Sequence, residues 1–487
     1  MVILLMVFLP IITGLILPFL KINKLNRNIY VVAVALITSI IAFSTIINNS
    51  NIDFTILNVS REFSIGFKND GLAKIFTMIV ATLWPLATLY STEYMEHEEN
   101  QASFFRYYLI AYGITLGLAH SKNLITMYLF YELLTFLTLP LVMHKLHDKK
   151  SLYAGKVYLI LSILGASLAL IGIIMFISVS NNIEFVYGGL IQNSNDLNKT
   201  LLYVSYILCF VGFGVKAAVV PFTFWLPLAG VAPTPVSALL HAVAVVKAGV
   251  FAIMRVTYFS FGAEVLQGSI AQNICLVIAI TTIFYGSIMA LKERHIKRRL
   301  AYSTASNLSY ILFSVLLLTS EGFAAGILHM MFHAIIKINL FFAAGSIMIY
   351  AEKEYVQDVK GIAKKMPVTM FTFLVASLAL VGIPLTCGFI SKYAIITAAI
   401  NAKTYRSMIG IIAIIISAIL TVIYLFSIVI NAYLPSNDFD EKHLKNVKEA
   451  GLSIKFVLII ITILIIYFGV NSANLVNFVE LVAKGIN

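Results

Sequence analysis

Charge is what this chain has least of. Only 11% of its 487 residues are Asp, Glu, Lys or Arg, less than half of the roughly 25% in an ordinary soluble domain. Its 22 acids and 34 bases are too few to coat the cores that a soluble chain of this length buries. That shortage excludes a soluble enzyme, a disordered tail and a coiled coil. Cysteine is rarer still. Cys209, Cys275 and Cys387 all fall in apolar stretches, without a CxxC pair or a Cys/His cluster. That speaks against iron–sulfur, zinc and disulfide frameworks, and the three read as small buried apolar side chains. No G-x-G-x-x-G follows a strand-like run, so no dinucleotide site is visible. The first apolar run lacks a basic flank and a small-residue cleavage site, and reads as a first span instead of a signal peptide. Strand-type alternation is missing too, which excludes a β-barrel.

What is present is apolar: 60% of the residues are hydrophobic and the mean hydropathy is +0.95. Such a chain reads as an all-α polytopic membrane protein. Counting runs of roughly 20 mostly apolar residues gives about fourteen spans, at 1–20, 29–47, 72–92, 104–120, 123–143, 157–179, 201–221, 236–258, 272–291, 300–319, 322–349, 370–400, 408–432 and 456–472. The longer loops are 48–71, 180–200 and 433–455.

The net charge of +12 would suggest nucleic acid in a soluble protein. In a membrane protein it reflects loop topology, and no nucleic-acid partner is expected. Twenty-one bases fall in one set of alternate loops, including the cluster Lys292, Arg294, Lys297, Arg298 and Arg299, and Lys442. The other set holds nine: Arg61, Lys68, Lys74, Lys122, Lys199, Arg255, Lys403, Arg406 and Lys484. The positive-inside rule puts the richer set in the cytoplasm of a cell inner or plasma membrane, with both termini outside.

Four bases remain, Lys216, Lys247, Lys337 and Lys392, each inside an apolar segment; Glu132 is the acid in the same position. An ionisable group at membrane depth costs about 2.5–3.5 kcal/mol on insertion scales, so five of them call for a wet, protein-lined path. The bland alternative is inert buried pairs, or lysines reaching out from helix ends. A proton path needs groups that bind and release H⁺ within hydrogen-bond reach of one another or of water. His329, His333 and Lys337 stand at i, i+4 and i+8, one helix face and a stripe of roughly 12 Å. A lone histidine in a helix is usually a satisfied core residue, but two with a lysine are harder to dismiss. His241 precedes Lys247 by six residues, about 120° around a continuous helix.

Two spans carry breakers. The seventh runs Gly212, Gly214, Lys216, Pro221; the twelfth runs Gly382, Ile383, Pro384, Gly388, Lys392. Interrupted backbone at membrane depth is tolerated where neighbours or a cavity satisfy it. A matched pair of broken helices, each with a lysine, points to two inverted halves with an ion path at each break.

These residues carry a family resemblance. Trp225-Leu226-Pro227, then Pro233-Thr234-Pro235-Val236-Ser237-Ala238-Leu239-Leu240-His241 and Val246-Lys247-Ala248-Gly249-Val250, resemble the WLP…PTPVSALxHA…VKAGV signature of the antiporter-like proton-translocating subunits. That family serves respiratory complex I, membrane-bound hydrogenases and Mrp-type sodium/proton antiporters. Lys297-Arg298-Arg299-Leu300-Ala301-Tyr302-Ser303-Thr304 is similar to its KRxLAYST. His333-Ala334 with Lys337 resembles HAxxKxxLF, and Gly382-Ile383-Pro384 with Gly388-Phe389 and Ser391-Lys392 resembles GIPxxxGFxSK. Tyr131-Glu132-Leu133 stands where the family has its WEL glutamate. The resemblance implies fourteen helices with two inverted five-helix repeats, spans 4–8 and 9–13. The chain then divides into 1–103, a first repeat at 104–258, a second at 272–432, and 433–487. It also implies that Glu132 and Lys216 form a pair, that Lys247, His329, His333 and Lys337 belong to a central hydrophilic axis, and that Lys392 is a terminal lysine.

The sequence departs from the pattern at Leu228 after WLP, at His295 where an Asp is common, and at Tyr393 after Lys392. It also reads as a smaller member, without a long lateral helix. No cofactor is expected in this chain, so energy must come from other integral membrane subunits. Three readings follow: a subunit of a redox-driven pump, a subunit of an Mrp cation/proton antiporter, or a structural scaffold. Protons are the expected cargo. For Na⁺, Glu132 with Thr135 one turn on supplies too few oxygen ligands to define a site. Lipid is expected on the outer faces.

Overall fold

The computed structural model describes residues 1–47, 52–60, 63–180, 182–191, 198–435 and 444–486. Arg61 and Lys442, assigned to opposite sides by charge, lie outside them. The chain opens with α1 (Val2–Ile16) and α2 (Lys24–Ile47), then β1 (Asp53–Ser60) and β2 (Phe63–Lys68). Next come α3 (Gly71–Tyr94), α4 (Gln101–Ala119), α5 (Leu124–Val142), α6 (Lys149–Ser180) and α7 (Lys199–Lys216). A broken region follows, with α8 (Trp225–Leu228), α9 (Thr234–Ala242), α10 (Val245–Arg255) and α11 (Ala263–Leu266). The rest comprises α12 (Ile270–Lys292), α13 (Ile296–Val315), α14 (Ser320–Tyr350), α15 (Pro367–Val381), α16 (Cys387–Asn401), α17 (Tyr405–Tyr433), α18 (Leu452–Val470) and α19 (Ala473–Ala483).

Apart from one hairpin, the described residues form an all-α polytopic membrane protein. Among the described residues, eleven helical stretches are long and apolar enough to cross a membrane. α4 and α13 have the length but are more polar, and α15 and α16 are 15 residues each. Peripheral helices turn aliphatic side chains outward, as Ile40, Ile160, Val277 and Ile463 do at 58–69% exposure, which suits hydrocarbon and not water. The centre is α14. Its side chains are buried from Gly322 to Ile347, and it packs against α3, α9, α13, α15, α16 and α18.

The structure corrects the sequence reading in four places. The segment 48–71, read as loop, contains the antiparallel hairpin, with Asp53 opposite Lys68 and Phe54 opposite Phe67. Its outer strand is exposed almost throughout, so it carries no apolar alternation to read. A short helix, α19, follows the last predicted span and buries Val479 and Val482. The eighth span is interrupted between α9 and α10 at Val243 and Ala244, neither of them Pro or Gly. His241 and Lys247 therefore sit on different helices, and the 120° relation of a continuous helix does not apply. Finally, Lys74, Arg255 and Lys297, counted as loop charges, are 5%, 0% and 6% exposed. All three stand in helices close to an end, where hydropathy cannot separate a loop base from a buried one.

The two anticipated breaks are present. α7 ends at Lys216, ahead of a short 3₁₀ turn at Phe222–Phe224. α15 ends where Gly382 takes φ +94°, a left-handed cap that glycine adopts without strain. Close packing of α6 on α7 also depends on glycine, since a Cβ at Gly165 would lie 2.7 Å from the Gly212 carbonyl oxygen.

Candidate functional site

Two breaks and one central helix position the ionisable side chains. At the first break, Lys216 is the last residue of α7 and faces Glu132 on α5, with Nζ 3.9 Å from Oε1. The lysine is 1% exposed and the glutamate 18%. Lys216 Nζ also donates to the Tyr131 carbonyl oxygen and sits 3.2 Å from the centroid of the Tyr131 ring. An ammonium over an aromatic face gains roughly 0.5–2 kcal/mol. Beside it, Trp225 Nε1 donates to the Val215 carbonyl at 2.8 Å, which ties the broken segment to the end of α7. Glu132 Oε1 and Thr135 Oγ1 are both buried without a hydrogen-bond partner in the protein.

In the centre, Lys247 of α10 reaches α14, its Nζ 2.5 Å from His333 Nδ1. One turn along the helix, Lys337 Nζ donates to the Leu300 carbonyl at 3.0 Å and to Ser303 Oγ. One turn the other way, the His329 ring lies 5.8 Å from that of His333, and its Nδ1 is 3.0 Å from Ser391 Oγ. Ser391 adjoins Lys392 on α16, so the stripe ends at the second break. There Lys392 Nζ donates to the carbonyls of Leu380 at 2.6 Å and Val381 at 3.0 Å. Those are the last two residues of α15, whose carbonyls have no partner within their own helix.

Every anticipated residue is at least largely buried, but they do not form one unbroken chain. Lys247, His333, His329 and Lys392 are brought together through Ser391, and Glu132 with Lys216. No direct hydrogen bond joins Lys216 to Lys247. His241 stands apart: its ring stacks on Phe341 at 4.6 Å and neither ring nitrogen has a protein partner. It lies within electrostatic reach of Lys247, Lys297 and Lys337. Buried polar atoms of this kind call for water.

Sequence reasoning quoted Tyr131, Ser303 and Ser391 within the motifs but gave them no role, since neutral groups that bond the charged ones look ordinary in a helix. It counted Lys297 as a loop charge. This lysine donates to the Ala232 carbonyl at 2.9 Å and lines a cavity of about 360 Å³ with Tyr94, Glu98, Lys145, Asp148 and Glu354. A second charged group lies near the hairpin. Arg255 grips Asp70 with two bonds of 2.5 and 2.8 Å, and Asp70 caps α3 through the Ala73 amide.

With this geometry in view, the relatives of the chain can be set beside it. The profile described as NADH:quinone oxidoreductase/Mrp antiporter, TM, matches residues 121–421. The chain belongs to this family. A second profile, NADH-ubiquinone oxidoreductase (complex I) chain 5 N-terminus, matches residues 57–105. The Na⁺/H⁺ antiporter subunit A1 of Staphylococcus haemolyticus is 30% identical over 490 residues, which cover 95% of this chain and 60% of that protein. The chloroplast NAD(P)H-quinone oxidoreductase subunit 5 of Chara vulgaris is 31% identical over 450 residues, 87% of this chain and 66% of that one. The chain thus spans about 60% of the length of the antiporter subunit. Among solved structures, the membrane-bound sulfane sulfur reductase, an archaeal respiratory membrane complex, aligns with a TM-score of 0.88 at 23% identity, covering 100% of this chain and 97% of that one. The Mrp complex of a Dietzia species aligns at 0.86 and 19% identity, covering 99% and 52%. Both likenesses bear on the fold.

Proposed function

We propose that the chain is the proton-translocating membrane subunit of a multi-subunit, redox-driven pump of the complex I or membrane-hydrogenase type. The observation that carries this reading is the 2.5 Å approach of Lys247 to His333, which links α10 to the central helix α14. In the proposed cycle an ionised Glu132 holds the Lys216 ammonium. When the pair separates, the buried ammonium is left without its counter-charge and gives up its proton, because burial opposes the charged form. The proton passes by water to Lys247, then to His333, His329 and Lys392, and re-pairing of Glu132 with Lys216 resets the cycle. Lys337, one turn from His333, and His241, near Lys247, belong to the same proton path. The energy comes from partner membrane subunits, and the chain itself carries no cofactor.

The architecture behind this reading is fourteen spans: the eleven apolar stretches, α4, α13, and α15 with α16 end to end. The breaks after Lys216 and Gly382 are equivalent positions in two inverted five-helix repeats, and both termini face outward. Lipid and partner subunits cover the aliphatic perimeter.

The test is proton uptake in proteoliposomes that contain the assembled complex. Glu132→Gln and Lys216→Ala each abolish it in this reading; transport that survives both overturns it. A second reading, a subunit of an Mrp-type antiporter without redox chemistry, is favoured by the Staphylococcus relative, whose name is Na⁺/H⁺ antiporter subunit A1. Na⁺ is then the exchanged ion. Iron–sulfur clusters in the co-purified partner subunits decide for the pump, and their absence from a complete, transport-active complex decides for the antiporter.

A further inference from the structure

Two stripes of proton-exchanging side chains run side by side in the second half of the molecule. One is His329, His333 and Lys337 on α14. The other is on α13, where Ser303, Ser306 and Tyr310 stand at i, i+3 and i+7, one helix face. The two helices are consecutive, pack together and are joined by residues 316–319. Their stripes meet at both ends. At one end Lys337 Nζ donates to Ser303 Oγ. At the other, the Tyr310 ring stacks on His329 with centroids 5.6 Å apart and lies beneath Lys392 Nζ, 5.5 Å from its centroid.

Between these ends the hydroxyls are connected. Tyr310 Oη donates to Ser417 Oγ at 2.6 Å. Ser417 Oγ lies 3.1 Å from Ser306 Oγ and 2.6 Å from Ser287 Oγ. All of these side chains are fully buried. One helical turn separates Ser303 from Ser306 and no hydrogen bond joins their hydroxyls, so the branch needs one water at this step. Asn307, one turn beyond Ser303, has a buried Oδ1 without a protein partner, the kind of polar atom that holds such a water. Interhelical serine bonds commonly act as glue between membrane helices. Glue alone gives no reason for the stripe to begin on Lys337 and end against His329 and Lys392.

We propose that Ser303, Ser306, Ser417 and Tyr310 form a second proton-conducting branch, parallel to the histidines, between Lys337 and the His329–Lys392 end. The branch rests on the relay proposed above. Lys337 gives its proton to Ser303 Oγ as Ser303 passes its own to the bridging water. Each oxygen in turn gains one proton and loses one. Tyr310 Oη bonds Ser417 and not His329 or Lys392, so the branch needs a second water to carry the last proton to His329 Nε2, which is buried without a protein partner. No hydroxyl keeps a charge, and Lys337 is left neutral until Lys247 recharges it through water, since no direct hydrogen bond joins the two lysines.

Parallel and serial arrangements differ in a double-variant cycle of proton uptake by the assembled complex. Tyr310→Phe keeps the ring and removes only the hydroxyl. Parallel branches predict a small loss for Tyr310→Phe, a partial loss for His333→Ala, and a rate for the double variant about tenfold below the product of the two. Loss of glue would cost the same with or without His333. A double variant at the product of the singles overturns the branch, as does a complete loss from Tyr310→Phe in a complex that assembles normally. Should Tyr310→Phe disturb assembly, Ser306→Ala combined with His333→Ala has the same two outcomes. Failure of the underlying relay shows separately, as transport unaffected by Glu132→Gln and Lys216→Ala.

Discussion

Removing one partner of the Asp70–Arg255 pair should cost a large share of the stability of this fold. The two side chains are 6% and 1% exposed, so neither is solvated if the other is lost. They share two charge-assisted bonds of 2.5 and 2.8 Å. The guanidinium also lies 4.7–5.2 Å from the ring centroids of Phe185, Phe251 and Phe259. Breaking a buried pair by removing one member costs about 3–5 kcal/mol, because a buried charge is left uncompensated. Arg255→Met keeps length and apolar contact and strands the Asp70 carboxylate. Asp70→Asn keeps a good helix-capping side chain and strands the arginine, so its loss measures the charge pair and not the cap. The double variant strands neither. Each single should therefore fall by about 3–5 kcal/mol, and the double by at least about 2 kcal/mol less than their sum. The assay is denaturant unfolding of the purified protein in detergent, followed by the fluorescence of its two tryptophans. A single variant that costs under about 1 kcal/mol, as exposed pairs do, or strict additivity in the double, would refute the reasoning.

Two further outcomes are expected. Gly165→Leu should separate α6 from α7, since even a Cβ at Gly165 meets the Gly212 carbonyl at 2.7 Å; overpacking of this kind costs about 1–3 kcal/mol, and wild-type stability by the same unfolding assay would contradict it. Burial holds the pKa of His144 and of His295 below the ordinary 6.5, and Lys297 adds to the effect at His295. The folded protein then binds fewer protons than the unfolded chain, so their contribution to stability is full above pH 6.5 and is lost as pH falls below it. Between pH 7 and 5 the wild type should lose stability more steeply than His144→Gln/His295→Gln, and parallel curves would count against the assignment.

The residues visible in the sequence were those whose burial is costly. Glu132, Lys216, Lys247, Lys337 and Lys392 stand out because a charge in a long apolar run is costly to bury. The breaks at Pro221 and Gly382-Ile383-Pro384 stand out because those residues interrupt a helix by their covalent structure. What stayed hidden has no such marker. The interruption at Val243-Ala244 is imposed by packing, since both residues suit a helix in isolation. Ser391, Ser303 and Tyr131 contribute a hydroxyl or a main-chain carbonyl, and only the fold decides which of many such groups meets a lysine. Asp70 and Arg255 are 185 residues apart; each resembles a loop charge until the chain is folded. The hairpin escaped because an exposed strand needs no apolar period.

In the relay proposed above, the two terminal lysines are held in different ways, and the difference bears on its direction. Lys216 faces a carboxylate at 3.9 Å. At an effective dielectric constant of about 20 that attraction is roughly 4 kcal/mol, and it halves when the separation doubles. A loss of about 2 kcal/mol changes an equilibrium roughly thirtyfold, so a movement of a few ångströms in α5 or at the end of α7 is enough to alter how firmly the proton is held. Lys392 has no such partner among the described ion pairs. Its ammonium rests on the last two carbonyls of α15, a partial charge fixed in the backbone. Those carbonyls neither titrate nor move without the helix. In that proposal Lys216 is the switched end, and Lys392 is the end whose backbone partners are fixed and whose hold on a proton changes only with the charge on its histidine neighbours. On that proposal, a relay with a switch at one end and a fixed backbone acceptor at the other is driven at the Glu132 side, where a partner subunit would apply its force.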